Sequence, residues 1–74
     1  MAEIVINKKM RFGKPTVKGT RITVDEIVGA LGSGMSFEDV RREYGVDRDG
    51  ILAALKYAAK VLSQEYVGSL MVSR

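Results

Sequence analysis

The sequence predicts a mainly α fold: three helices with a short β-strand and a hairpin in front of them. Three observations predict it. Apolar residues recur at helical spacing in three separate segments of the second two-thirds of the chain. A Thr, Ser or Asp stands before each segment as a helix cap. The first 22 residues carry short β-prone runs broken by polar, Gly-containing stretches.

Ile4-Val5-Ile6 is a short β-prone run, and Asn7 to Lys14 reads as a loop. Thr16-Val17 and Thr20-Arg21-Ile22 flank Lys18-Gly19, which predicts a tight hairpin, with Pro15 at a strand start or edge. Helix one begins at Thr23, because Thr23 with Glu26 three residues later is a capping box. Val24, Ile27, Val28 and Leu31 form its buried face, and Gly32-Ser33-Gly34 stops it. Helix two has Ser36 as cap and Asp39 at the third place; Phe37, Val40 and Tyr44 share a face, and Gly45 ends it. Helix three starts at Asp47, with Asp49 in its first turn. Ile51, Leu55, Ala58 and Leu62 form one apolar row, expected to be core. Ala54, Tyr57 and Val61 form a second row, for which core and a partner chain are both open.

At 74 residues the chain is expected to be one domain: a basic β arm over residues 1–22, a helical core over 23–65 and a tail over 66–74. A chain this short buries only about 60% of its unfolded surface, so the core is thin. Apolar residues make up 46% and charged residues 28%, a globular composition. No apolar run approaches the roughly 18 residues needed to cross a bilayer, and the opening residues do not resemble a signal peptide. A cytosolic protein with no membrane partner is expected. The absence of Cys is compatible with a reducing compartment.

Composition also limits chemistry. With no His and no Cys, Ser-His and Cys-His nucleophile pairs and zinc sites are excluded. The acidic pairs Asp25-Glu26 and Glu38-Asp39 are sequence neighbours, which diverge by about 100° on a helix. Both pairs lie at helix starts, where capping and the helix dipole explain them without catalysis. Gly13-Lys14-Pro15 lacks the earlier Gly and the following Ser or Thr of a phosphate loop. No enzyme, no cofactor and no metal is expected.

Charge is unevenly placed. Residues 1–22 hold six basic groups (Lys8, Lys9, Arg11, Lys14, Lys18, Arg21) and one acid, Glu3, for a net +5. Residues 23–74 hold six basic groups and eight acids, for a net −2. The leading third is therefore a basic arm on a mildly acidic body, either a solvated surface or a contact for phosphate or an acidic protein.

Helix two, the Gly turn and helix three match a bihelical DNA-binding pattern. Counted from Phe37, the apolar fourth, eighth, tenth, fifteenth and eighteenth places are Val40, Tyr44, Val46, Ile51 and Ala54, with Gly45 at the ninth. The fifth place, usually small, is Arg41, which implies a looser crossing or a shifted register. The start of helix three is Asp47, Arg48, Asp49 and Gly50. Carboxylates there would face phosphates, so only Arg48 reads as a base contact and the basic arm suits DNA better than this helix.

The run Gly13-Lys14-Pro15-Thr16-Val17-Lys18-Gly19-Thr20-Arg21-Ile22-Thr23-Val24 resembles the opening signature of the prokaryotic family known as domain of unknown function four hundred thirty-three. Gly34 to Val40, Tyr44 and Ile51 to Ala59 also look like that family, and the resemblance covers roughly residues 4–62. The family's usual Pro after the Tyr of helix two is replaced by Gly45. The resemblance implies a homeodomain-like helix-turn-helix fold. It also implies a VapB-type antitoxin, since some members pair with PIN-domain ribonuclease toxins.

These readings give the expected sites. Lys8, Lys9, Arg11, Lys14, Lys18, Arg21 and Arg48 are the candidate nucleic-acid contacts, with operator DNA as partner. Tyr57, Val61, Tyr66, Leu70 and Val72 are the candidate partner contacts. A homodimer is expected through the N-terminal strands or helix three, and a PIN-type toxin is expected on the tail. Arg21 has two readings: an anchor to Asp25 or Glu26, or a phosphate or partner contact. The rival functions are a stand-alone regulator and a protein-interaction module without nucleic acid. All rest on three helices stacking around a bend at residue 45, leaving the basic leading end open to an anionic partner.

Overall fold

The computed structural model describes residues 2–73, and the surroundings of the side chains for residues 2–64. In chain order the elements are β1 (Ile4–Ile6), a single turn at Arg11–Gly13, β2 (Pro15–Val17), α1 (Val24–Gly32), α2 (Phe37–Tyr44) and α3 (Arg48–Ser73). The fold is mainly α with a two-stranded antiparallel N-terminal hairpin, as the sequence predicts.

The hairpin is wired differently from the expectation. β2 pairs with β1, in the register Ile4 to Val17, Val5 to Thr16 and Ile6 to Pro15. The chain does turn back at Lys18-Gly19: the Thr20 N–H donates to the Val17 carbonyl at 3.0 Å, and the Val17 N–H donates to the Ile22 carbonyl at 3.0 Å. Beyond this there is only an isolated bridge between Thr16 and Thr23, and residues 20–22 form no strand. The Thr20 hydroxyl curls this segment by donating to the Val17 carbonyl and accepting from the Ile22 N–H, which diverts it from strand geometry.

The helix starts follow the local chemistry. Thr23 and Glu26 form a reciprocal capping box on α1, and Ser36 and Asp39 form one on α2. The Asp47 carboxylate accepts from the Gly50 N–H at 2.9 Å and so caps α3. α1 ends in a Schellman motif: the Gly34 N–H donates to the Leu31 carbonyl and the Met35 N–H to the Ala30 carbonyl, both at 3.1 Å. Gly34, at φ 106°, supplies the conformation this needs.

The core is formed by Val17 of β2, Val24, Ile27 and Ala30 of α1, Val40 of α2, Val46 of the connection, and Ile51 and Ala54 of α3. Burying a Val or Ile side chain contributes about 1.5–3 kcal/mol each. At the bend, Gly45 has φ 70° and its N–H donates to the Arg41 carbonyl at 2.9 Å, while Val46 plugs inward. Arg41, at the place where a small residue is usual, lies exposed and pairs with Glu38 at 3.1 Å.

The first row on α3 is not core along its whole length, which corrects the expectation for Leu62. Ala54, of the second row, is fully buried, whereas Leu62, of the first, is 61% exposed. The cause is length: α1 has 9 residues against the 26 of α3, so α3 outruns the helix that covers it. No helix among the described residues is long and apolar enough to cross a membrane.

Candidate functional site

The basic arm folds back across the start of α1, and three of its six cations meet this chain's own acids. Arg11 Nη1 donates to Glu26 Oε1 at 2.9 Å and to the Arg21 carbonyl at 2.8 Å. Lys14 Nζ lies 3.2 Å from Asp25 Oδ2, and Lys18 Nζ lies 3.7 Å from Glu3 Oε2. Glu26 is the hub, since it also accepts from the Thr23 N–H and the Thr23 hydroxyl, each at 2.9 Å. These bonds hold its carboxyl below the usual range, the Thr23 N–H most strongly, then the Thr23 hydroxyl and the Arg11 guanidinium.

The anchoring role weighed for Arg21 therefore belongs to other residues. Arg11 holds Glu26 and Lys14 holds Asp25, while Arg21 contributes only its carbonyl to the hydrogen bond from Arg11. The Lys14 and Lys18 pairs are exposed, and such pairs contribute about 0–1 kcal/mol. Lys8, Lys9 and Arg21 are exposed and make no ion pair with a described residue. The leading end is thus half neutralised from within and half uncompensated.

The sequence reading missed the most unusual part of this surface. Arg11, Phe12 and Gly13 have φ values of 50°, 60° and 76°, a left-handed turn in which two of the three residues carry a Cβ. The Phe12 side chain stands at its tip, 97% exposed. A lone aromatic within an otherwise polar, basic loop was the available signal. The turn is held by the Gly13 N–H donating to the Met10 carbonyl at 3.0 Å and the Lys14 N–H donating to the Arg11 carbonyl at 3.1 Å. A Cβ on Gly13 would lie 3.9 Å from Lys8 Cα, so the backbone at Lys8 passes beside the ring-bearing turn.

The other candidates are spread more widely. Arg48, at the start of α3, stacks over the Phe37 ring, 5.4 Å from its centre. Asp47 beside it is engaged as the cap of α3, and Asp49 is exposed. Tyr57 and Val61 are half-buried and line an apolar groove of about 340 Å³ with Val24, Val28, Ala58 and Leu62. Tyr66, Leu70 and Val72 fall on α3 outside the residues whose side chains are described. The acidic pairs take part in caps and ion pairs: Asp25 with Lys14, Glu26 with Thr23 and Arg11, Glu38 with Arg41, and Asp39 with Ser36 and Arg42.

Comparison with known proteins adds two findings. A family described as "Protein of unknown function (DUF433)" matches residues 4–58. Over 54 residues the chain is 32% identical to a protein of Mycobacterium tuberculosis named "Putative antitoxin VapB45". The match covers 73% of this chain and 23% of that relative, so the chain spans less than a quarter of the relative's length. No solved structure matches this chain.

Proposed function

This chain belongs to the DUF433 family of proteins of unknown function, and from that premise we propose that it is an antitoxin-like, DNA-binding, non-enzymatic protein of a toxin-antitoxin system. The observation that carries the reading is the match of 54 residues to a relative named as an antitoxin. The bend supports it: Gly45 is left-handed, Val40, Val46, Ile51 and Ala54 are buried and Tyr44 is half-buried, which is the packing a helix-turn-helix requires. In this reading α2 and α3 form that unit in one domain with a 66–74 tail, and the protein acts in the cytoplasm as a homodimer.

DNA is met by the arm rather than by the start of α3. Asp47 and Asp49 would repel phosphates there, and Arg48 is drawn over Phe37. Lys8, Lys9 and Arg21 supply the uncompensated charge, with Arg11, Lys14 and Lys18 behind them. The toxin, of PIN type, takes the apolar end of α3, from Tyr57 and Val61 toward Tyr66, Leu70 and Val72.

The test is co-expression with the product of the adjoining reading frame. The expected result is a stable complex, relief of growth arrest, and a shift of DNA from upstream of the gene. Recovery of no nuclease partner, together with unchanged growth on depletion, overturns the reading. The acidic start of α3 favours a second reading, a protein-interaction module. A stable heteromeric complex with no duplex binding even at low salt would select it.

A further inference from the structure

We propose that the left-handed turn Arg11–Gly13 is a base-stacking anchor. Phe12 takes the face of an unpaired or splayed nucleobase while Lys8 and Lys9 hold the neighbouring phosphates. The inference rests on the nucleic-acid reading of the arm and adds to it a residue and a mode of contact.

Four observations carry it. First, Arg11 and Phe12 adopt positive φ, a conformation unfavourable for side chains with a Cβ, in a turn that serves no core. Second, the turn is fixed rather than loose: the Arg11 guanidinium is tied to Glu26 and to the Arg21 carbonyl, so the ring is presented at a set place. Third, the ring is 97% exposed. Fourth, Lys8 and Lys9 stand in the same loop, exposed and making no ion pair with a described residue.

The chemistry of the surroundings selects the occupant. Protein interface cores surround an aromatic anchor with further apolar groups and are depleted in Lys. Here four of the ring's near neighbours in the chain are the cations Lys8, Lys9, Arg11 and Lys14, and the one apolar side chain among them, Met10, is half-buried. A lipid surface would need a broader apolar face than one ring. A nucleic-acid strand suits both features, since every base offers a flat π face and every linkage an anionic charge. Exposed Phe on a basic surface is how sequence-tolerant strand binding is built.

The experiment measures binding of the full chain to a fluorescent oligothymidylate of about 12 nucleotides and to a duplex of the same length, over a salt series. Binding of the single strand is expected to exceed that of the duplex. Phe12→Ala is expected to weaken single-strand binding roughly 5- to 160-fold without changing the salt slope. Phe12→Leu should lose nearly as much, and Phe12→Tyr should retain most of the affinity. Lys8→Ala with Lys9→Ala should instead lower the salt slope by about 1.4, at about 0.7 for each phosphate lost.

A second readout guards against misfolding. Phe12→Asn suits the left-handed conformation better than Phe, so it should keep or raise the melting temperature while binding weakly. Wild-type affinity in Phe12→Ala, with weakened binding in the Lys double variant, overturns the stacking anchor alone. Phe12→Ala that spares nucleic-acid binding but dissolves a protein complex assigns the turn to a protein partner and also overturns it. Absence of any binding by the wild type at low salt overturns both this inference and the nucleic-acid reading beneath it.

Discussion

Gly50 sits on the inner side of the first turn of α3, and a Cβ there would run into Val46 Cγ2 and press on Val17 Cγ1. Val46 is 3% exposed and has little room to move. Gly50→Ala is therefore expected to destabilise the protein by about 1–2 kcal/mol, overpacking outweighing the gain in helix propensity. Denaturant titration checks it, and a raised midpoint would show that Val46 yields. Thr16 has the opposite sign. Its hydroxyl is buried with no hydrogen-bond partner among the described residues, in a residue only 1% exposed. Thr16→Val keeps the shape and removes the desolvated group, so stability should rise by about 1 kcal/mol. A lower midpoint in the same titration would show that the hydroxyl is satisfied in solution.

α1 and α2 owe their starts to the two capping boxes, and these tie stability to pH. The bonds around Glu26 begin with the Thr23 N–H, and those around Asp39 with the Ser36 N–H; both carboxyls are held below their usual range. A carboxyl lowered on folding contributes stability that is present above its unfolded value, near 4 for both residue types, and is lost as pH falls through the folded value. The melting temperature should thus stay level from neutral pH to about 5 and fall as the medium passes below about 4. Thr23→Ala should cost about 1–2 kcal/mol and Ser36→Ala less, because Thr23 is buried and its box also holds Arg11. Equal losses in a thermal melt would show that the Arg11 link adds nothing. Caps were legible in the sequence because they are local: Thr23 to Glu26, Ser36 to Asp39 and Asp47 to Gly50 each span three residues. The pairing of β1 with β2 was not, since strands of three residues carry too few side chains to set a register. Nor could the apolar rows of α3 show that α1 ends before Leu62 is covered.

At the scale of the molecule the question is how much of the arm's charge faces outward. Composition shows six cations in residues 1–22, but not which of them meet acids, because those meetings need the fold. Arg11 reaches Glu26 fifteen residues on, Lys14 reaches Asp25 eleven residues on, and Lys18 meets Glu3 only because β2 runs beside β1. The left-handed turn was equally hidden, since nothing in Met10-Arg11-Phe12-Gly13 requires two non-Gly residues at positive φ. The pairing has a measurable consequence. If all six cations of each chain neutralised phosphates on a duplex, log affinity would fall against log salt with a slope near −5 per protomer. With Arg11, Lys14 and Lys18 engaged at home, only Lys8, Lys9 and Arg21 release counterions, and the slope should be near −3 per protomer. Removing an acid then steepens it. Asp25→Asn frees Lys14 and is expected to bind duplex more tightly at low salt, with a slope closer to −4 per protomer. Glu26→Gln cannot serve for this, because Glu26 also caps α1. A wild-type slope near −5 per protomer, unchanged in Asp25→Asn, would mean that these pairs open on binding and that the arm presents all six charges to the DNA.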